Sequence, residues 1–347
     1  MEKIKSSTIY CVIDDYGWVQ EDRIKYIEPY LLNFNLAILS AKEFSVLWNN
    51  NKLREEYVYF CSWRTLVFLE NVKVCLFLEA DFKYFMTSVT SHYNIGGGLK
   101  PERAVRKGED VSSAFNFAVN KLKLFQVVTV NSSILRDLLL DSLPNLMYVP
   151  NGVDTEKFSP RLQNTYCTNR PVVGWTGKIK GAKNIELLDA ATPLLEEMGY
   201  LVCRMDVSKN KSLLSRVFNK LLKKRIGNYF SKNKMPKFYH RIDFYLNTSY
   251  HEGTPNPALE SAASGIPVVT TKVGNMTDLI HDGENGFFIE PNLESLIHTF
   301  EKIKGMPAKE YRRMSENIRS DIAKHWTWKV ASERYRTAFQ LFLKRQQ

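Results

Sequence analysis

No apolar run in this 347-residue chain approaches the ~20 residues that a membrane-spanning helix needs, so no segment reads as a span. A long apolar leader with a small-residue cleavage site is also missing. MEKIKSSTIYCVIDDYG passes from charge straight into a short apolar strand, and the chain reads as cytosolic. The cysteines (Cys11, Cys61, Cys75, Cys167, Cys203) are odd in number and scattered, with no CxxC pair. That argues against a disulfide framework or zinc site and for buried, reduced thiols. The 6 histidines show no HxxxH or other metal-ligand spacing, and no DxD motif falls in a suitable loop, since Asp14-Asp15 is adjacent and sits at a strand end. No repeat of fixed period and no low-complexity segment occurs. Acidic residues are absent between Asp206 and Asp243, where Lys209, Lys211, Arg216, Lys220, Lys223, Lys224, Arg225, Lys232, Lys234, Lys237 and Arg241 fall. That stretch alone matches the net charge of +11 and suits an anionic partner: a membrane surface, an acidic acceptor or nucleic acid.

What is present is ordinary for a two-domain soluble protein, with 44% hydrophobic and 24% charged residues. In the first half TIYCVI, NLAILS, YVYFCS, VKVCLFL, FQVVTV and LMYVP read as strands, short and rich in β-branched and aromatic residues. Segments near 20–32, 43–53, 110–124 and 132–141 read as helices. Such alternation predicts a parallel sheet covered on both faces. The run from Thr90 to Gly108, with three consecutive glycines, reads as a long loop. A polar break from Asn151 to Arg170 separates a domain over 1–150 from one over 151–325. The second half repeats the alternation: PVVGWTG, a helix from Asn184, YLVCRMD, IDFYLNT, a helix from Pro255 to Ser264, IPVVTT, GFFI, and helical segments from Leu293 to Lys344. Two doubly wound domains facing each other would bind ligand where strand ends meet helix N-termini, so those junctions carry the most weight.

The first junction is NTSYHEGTPNPALE, residues 247–260. Thr254 can cap a helix with Pro255 in its first turn. Glu252 then precedes the helix, beside Gly253, and Glu260 lies about two turns inside it. First-turn amides, from residues such as Asn256 and Ala258, would face an anion. Carboxylates suit sugar and ribose hydroxyls, which they accept in pairs. A structural glutamate on each side of an ordinary helix start fits the same spacing. The second junction is GWTGKIKGAK, residues 174–183, where Lys178 and Lys183 follow a strand in a glycine-containing loop. At ~4 Å and an effective dielectric of ~20, each ammonium contact with a phosphate is of order 4 kcal/mol before desolvation. Such contacts act most strongly on a departing diphosphate. A cluster of solvated loop lysines is the other reading, and Lys180 belongs to it.

Glu252 and Glu260, with seven residues between them, resemble the E-x7-E motif of the retaining GT-B glycosyltransferases known as family 4. DFYLNTSYHEGTPNPALESAASGIPVVTTKVGNMTDLIHDGENGFFIEP, from Asp243 to Pro291, is similar to that family's donor-binding half, and VPNGVDTEKFSP at 149–160 to its interdomain signature. Lys178 and Lys183 are spaced like its phosphate-binding Arg and Lys. The likeness covers about 147 to 345 and is weaker before that. It implies a GT-B fold, a nucleoside-diphosphate sugar as donor, a glycan or lipid-linked acceptor of the kind met in polysaccharide biosynthesis, and a last helix, over 326–347, that crosses back to the first domain. Glu252 would then contact the donor sugar, Glu260 the ribose, and Lys178 with Lys183 the diphosphate, with Gly253, Thr254 and Asn256 beside them. Lys178 stands where the family usually has arginine, whose planar fork a lysine cannot reproduce. The loop Asp15-Tyr16-Gly17-Trp18 takes the place of a glycine-rich loop that closes on donor and acceptor. Gly17 is therefore a donor-side candidate, while Tyr16 and Trp18 are acceptor-side candidates or packed aromatics. Where the family presents a histidine near the reacting sugar, Glu79-Ala-Asp81 follows VKVCLFL and His92 comes later, which makes Asp81 and His92 further acceptor-side candidates. The likeness implies a hexosyltransferase-type enzyme without a cofactor, and lysines, helix amides and no paired acidic ligands argue that it needs no metal.

SLLSRVFNKLLKKR places Leu214, Val217, Phe218 and Leu221 on one helical face, flanked by cations. Residues 209–225 thus read either as a helix on an anionic membrane, peripheral to its inner face, or as a surface helix packed on its own sheet. No recognition-helix, zinc or RNA-binding aromatic motif supports nucleic acid. Two other functions fit the same donor site: a GT-B sugar-nucleotide epimerase, which needs no acceptor, and a nucleotide-sugar or polyanion binder without turnover.

Overall fold

A computed structural model describes residues 7–91, 95, 111–161, 166, 168–179, 181–207 and 234–344. The chain divides into two units, residues 1–152 with 328–347, and residues 153–327.

Unit 1 is a parallel sheet of β1 (Thr8–Ile13), β2 (Asn35–Ser40), β3 (Tyr57–Phe60), β4 (Phe85–Val89), β5 (Val127–Val130) and β6 (Leu146–Tyr148), in the order β2-β1-β3-β4-β5-β6. Its crossovers are α1 (Val19–Ile27), α2 (Ala41–Asn49), α3 (Trp63–Asn71), α4 (Val111–Leu122) and α5 (Ser133–Leu139). Central strands are buried on both faces, so their polar groups must find partners inside the sheet. In β4 the Thr87 hydroxyl donates to the Phe60 carbonyl at 2.9 Å, and Ser88 meets Thr129 at 2.6 Å. Helix α2 starts where Ser40 and Glu43 form a capping box, which satisfies two otherwise orphaned amides.

Unit 2 is a parallel sheet of β7 (Val172–Gly177), β8 (Leu201–Asp206), β9 (Phe244–Asn247), β10 (Val268–Thr271) and β11 (Gly286–Ile289), ordered β11-β10-β9-β7-β8. Its helices are α6 (Ile185–Glu197), α7 (Met235–Tyr239), α8 (Asn256–Ala263), α9 (Met276–Leu279), α10 (Leu293–Ile303) and α11 (Ala308–His325). One core lies under α7, α8 and α11, around Tyr239, Leu259 and Ile318. The other lies under α6 and α10, around Trp175, Leu188 and Phe300.

The last helix, α12 (Trp328–Lys344), belongs to unit 1. Its Tyr335, Ala338, Phe339 and Phe342 are buried against β1, β3 and α1, and Trp328 stacks on Tyr26 with centroids 5.2 Å apart. The C-terminal segment is therefore core rather than tail.

VKVCLFL is not a strand. Residues 72–78 run as a loop in which Val72, Val74, Leu76 and Leu78 are exposed while Cys75 and Phe77 are buried. Its carbonyls meet side chains of α2 instead of a ladder: Asn49 Nδ2 donates to Val74 at 2.8 Å and Trp48 Nε1 to Leu76 at 3.1 Å. The strand at this place in the fold is β4, FMTSV, whose two hydroxyl residues interrupt the apolar signal. Residues 209–225, Lys180, His92 and the three glycines of the 90–108 loop lie outside the described residues. Among the described residues no helix is long and apolar enough to cross a membrane.

Phe339 is fully buried and packs edge-on against Phe34 and Tyr59. Phe339→Ala is expected to cost about 3–5 kcal/mol in denaturant unfolding; a loss below ~1 kcal/mol would contradict this packing of α12.

Candidate functional site

β7 and β9 are neighbours in the second sheet, with Gly174 opposite Tyr245, so the loops that leave their C-terminal ends emerge side by side. These are the loops of Lys178 and Lys183 and of Glu252. They are bolted together through the backbone: the Thr248 hydroxyl donates to the Lys183 carbonyl at 2.9 Å, and the Tyr250 amide to the Ala182 carbonyl at 2.8 Å.

Lys183 ends a short 3-10 turn, Gly181–Lys183, and the next residue, Asn184, takes a left-handed φ of 48° before α6 begins. That reversal brings Lys183 back over β7. At Gly177 an added Cβ would press on the Trp175 ring at 3.2 Å and come into ordinary contact with the lysine Cε at 3.5 Å. Lys183 Nζ lies 2.5 Å from Glu252 Oε1, with the two side chains only 16% and 17% exposed. The Ser249 hydroxyl lies 3.1 Å from the same oxygen and 2.7 Å from the Asn247 carboxamide oxygen. Lys178, one residue past β7, is exposed.

Glu260 lies on α8 and accepts a 2.7 Å hydrogen bond from the Tyr239 hydroxyl of α7. Burial first, and then the Glu260 carboxylate, raises the Tyr239 pKa well above the usual phenol value, so Tyr239 stays a donor. Tyr245, whose hydroxyl donates to the Thr176 carbonyl at 3.0 Å, is raised by burial and then by the charges of Glu252 and Glu260.

The start of α8 differs from the sequence expectation. The helix begins at Asn256, Pro255 takes the cap position, and no side-chain cap bond forms, so Thr254 does not cap it. The amides of Asn256 and Ala258 do not face an anion either. They donate to the carbonyls of Thr254 and Pro255 at 2.9 and 2.8 Å, and Pro257 has no amide hydrogen to offer.

Two features of the site escaped the sequence reading. Tyr239 sits in a five-residue helix inside the basic stretch, with no spacing signal of its own. Gly274, at φ +53°, lets the chain after β10 pass so close to Gly253 that a Cβ there would meet the Gly253 carbonyl oxygen at 2.2 Å. Asn275 N then donates to that oxygen at 3.2 Å, fixing the glycine beside Glu252.

In unit 1 the loop after β1 carries Tyr16, Gly17 and Trp18. Tyr16 and Trp18 are exposed, 45% and 51%. The Tyr16 hydroxyl donates to Glu43 at 2.7 Å, which lowers the Glu43 pKa and raises its own. Gly17, at φ +78°, gives its amide to Glu21 at 2.5 Å. Asp81 does not follow a strand. It lies in the 3-10 segment Glu79–Tyr84 that leads into the N-terminal end of β4, pairs with Arg54 at 3.1 Å and accepts from the Leu78 amide. That is the opposite sheet edge from Tyr16, so Asp81 is a local structural carboxylate. His92, outside the described residues, comes three positions after the last residue of β4 in the sequence.

Comparison with known proteins bears on the family and the fold. Residues 162–321 match the family model described as glycosyl transferases group 1. The chain is 24% identical over 212 residues to the capsular polysaccharide biosynthesis glycosyltransferase CapM of Staphylococcus aureus, covering 56% of this chain and 54% of that one. It is 24% identical over 203 residues to an Escherichia coli UDP-Gal:alpha-D-GlcNAc-diphosphoundecaprenol alpha-1,3-galactosyltransferase, covering 54% and 52%. It thus spans about half the length of these curated relatives. Among solved structures, sucrose-phosphate synthase from Thermosynechococcus elongatus aligns with a TM-score of 0.76 at 13% identity, covering 97% of this chain and 99% of the other. HepE of Anabaena, solved with UDP and glucose, aligns with a TM-score of 0.69 at 15% identity, covering 96% and 99%. The fold is GT-B.

Gly274 and Gly283 both have positive φ, but only Gly274 has backbone within reach of a Cβ. Alanine at a left-handed position costs about 1–3 kcal/mol in strain. Gly274→Ala is therefore expected to lower the melting temperature clearly more than Gly283→Ala does; equal shifts would show that the approach to Gly253 is not tight.

Proposed function

We propose that this chain is a family 4 glycosyltransferase that moves a sugar, with retention of its anomeric configuration, from a nucleoside-diphosphate sugar to a glycan or lipid-linked acceptor. The observation that carries the reading is the meeting of Lys183 and Glu252 at the C-terminal edge of β7 and β9, with Glu260 held by Tyr239 close by. The group 1 match over 162–321 and the CapM and galactosyltransferase relatives support it.

In transfer, the bond between the anomeric carbon and the diphosphate oxygen breaks as an acceptor hydroxyl oxygen bonds to that carbon; the acceptor's proton passes to the diphosphate oxygen, and negative charge gathers on the departing nucleoside diphosphate. Lys178 and Lys183 meet that charge, and they do so most strongly in the transition state. Glu252 accepts hydrogen bonds from the sugar hydroxyls, with Gly253, Thr254 and the Asn256 side chain lining the same loop. Glu260, oriented by the Tyr239 hydroxyl, accepts from the ribose. With two ammonium groups on the diphosphate, the reading requires no divalent cation. Tyr16 and Trp18, exposed at the end of β1, are its acceptor-side groups. UDP is the first nucleotide to test, because HepE is solved with UDP and with UDP-glucose.

Thermal melting with UDP, GDP, ADP, CMP and dTDP, each without metal, tests the donor site. A ligand at 100 times its dissociation constant should add about 2.7 kcal/mol. One diphosphate is expected to raise the melting temperature of the parent and not of Lys178→Ala/Lys183→Ala; a shift that survives both substitutions would place the nucleotide elsewhere. In a transfer assay, NMR of the product should show the anomeric configuration of the donor, and inversion would contradict the retaining assignment. Glu252→Ala is expected to lower turnover at least 100-fold, the scale of losing a group that acts on the transition state; unchanged turnover would remove Glu252 from the reaction.

A further inference from the structure

The two residues given separate tasks above are bound to each other. Lys183 is assigned to the diphosphate and Glu252 to the sugar, yet Nζ and Oε1 are 2.5 Å apart, and neither side chain is more than 17% exposed. Their backbones are not free to separate, since Thr248 and Tyr250 tie the Glu252 loop to the carbonyls of Lys183 and Ala182. The fully buried Ser249 hydroxyl lies within reach of both the carboxylate and the Asn247 carboxamide oxygen, with one proton to give to either. Any exchange of partners must therefore occur at the ends of the two side chains.

Resting on the proposed donor reading, we propose that the Lys183–Glu252 pair is a specificity latch by which the site discriminates a sugar nucleotide from its nucleoside diphosphate alone. Before donor arrives, each group neutralises the other. A diphosphate brings anionic oxygens to the Lys183 ammonium and displaces Glu252. The released carboxylate is then a desolvated charge without its counterion, which is unfavourable unless something hydrogen-bonds to it. The hydroxyls of a transferable sugar do so; a bare nucleoside diphosphate supplies none in that position. The diphosphate thus opens the sugar subsite, the sugar offsets the cost of opening it, and the spent nucleotide is held less firmly than the donor. A free sugar brings no anion to draw Lys183 away from Glu252.

A double-mutant cycle reads this directly. Titration calorimetry with UDP, GDP, ADP, CDP and dTDP is run on the parent, Glu252→Gln, Lys183→Met and the double variant, each checked for folding by its melting curve. Glutamine keeps the shape and hydrogen-bonding capacity of Glu252 but cannot hold the ammonium as a counterion. With the diphosphate that binds, Glu252→Gln is expected to bind about tenfold tighter than the parent, within the usual range of coupling between interacting sites. In the Lys183→Met background the same substitution should bring no gain. An equal gain in both backgrounds would mean that Glu252 merely repels the diphosphate through its field, and the latch would be overturned. No gain in the parent background overturns it as well. Binding of no diphosphate by the parent would instead remove the donor reading on which the proposal rests.

Discussion

The contact between Lys183 and Glu252 is the constraint around which the second unit organises its upper edge. An ammonium and a carboxylate that are both more than four-fifths covered are costly to leave unpaired, so each dictates where the other must be. The rest of the edge meets that demand. Adjacent parallel strands bring the two loops together, and a non-glycine left-handed residue at Asn184 turns Lys183 back over β7. The result is a site whose charges are set before any ligand arrives, which is the condition for electrostatic help in the transition state.

Around the pair, the buried polar chemistry of the sheet ends is used for placement. Tyr245 and Tyr239 are phenols held protonated by burial, one donating to the β7 backbone and the other to Glu260. Thr271 anchors the Ser249 carbonyl at 2.6 Å, and the strand-end loop of β10 closes on Gly253 through Gly274. The helix N-terminus, by contrast, spends its amides on its own turn. In the proposed donor reading, side-chain cations therefore carry more of the diphosphate recognition than the helix start does.

Much of this could be read in the sequence because parallel α/β proteins write their strands as short continuous apolar runs. TIYCVI, NLAILS, PVVGWTG and YLVCRMD each contain an observed strand. The failures came where that rule breaks down. VKVCLFL is apolar yet unpaired, because α2 side chains take its carbonyls; FMTSV is a central strand whose hydroxyls are satisfied within the sheet. Misplacing that strand put Asp81 on the wrong edge. Spacing alone placed Glu252 in the loop before a helix and Glu260 inside that helix, which is where α8 has them. It carried no sign that Glu252 is held by Lys183, since the contact depends on the path of two loops 65 or more residues apart. Thr254 misled for a local reason: Pro255 and Pro257 shift the first turn by one residue and remove the cap.

The account stands most directly on a crystal structure of the protein with a non-hydrolysable nucleoside-diphosphate sugar bound. It predicts diphosphate oxygens within hydrogen-bonding distance of both Lys178 and Lys183, the Lys183–Glu252 contact broken, and a sugar hydroxyl on Glu252. A ligand bound away from the edge of β7 and β9, or bound there with Lys183 still on Glu252, would contradict it.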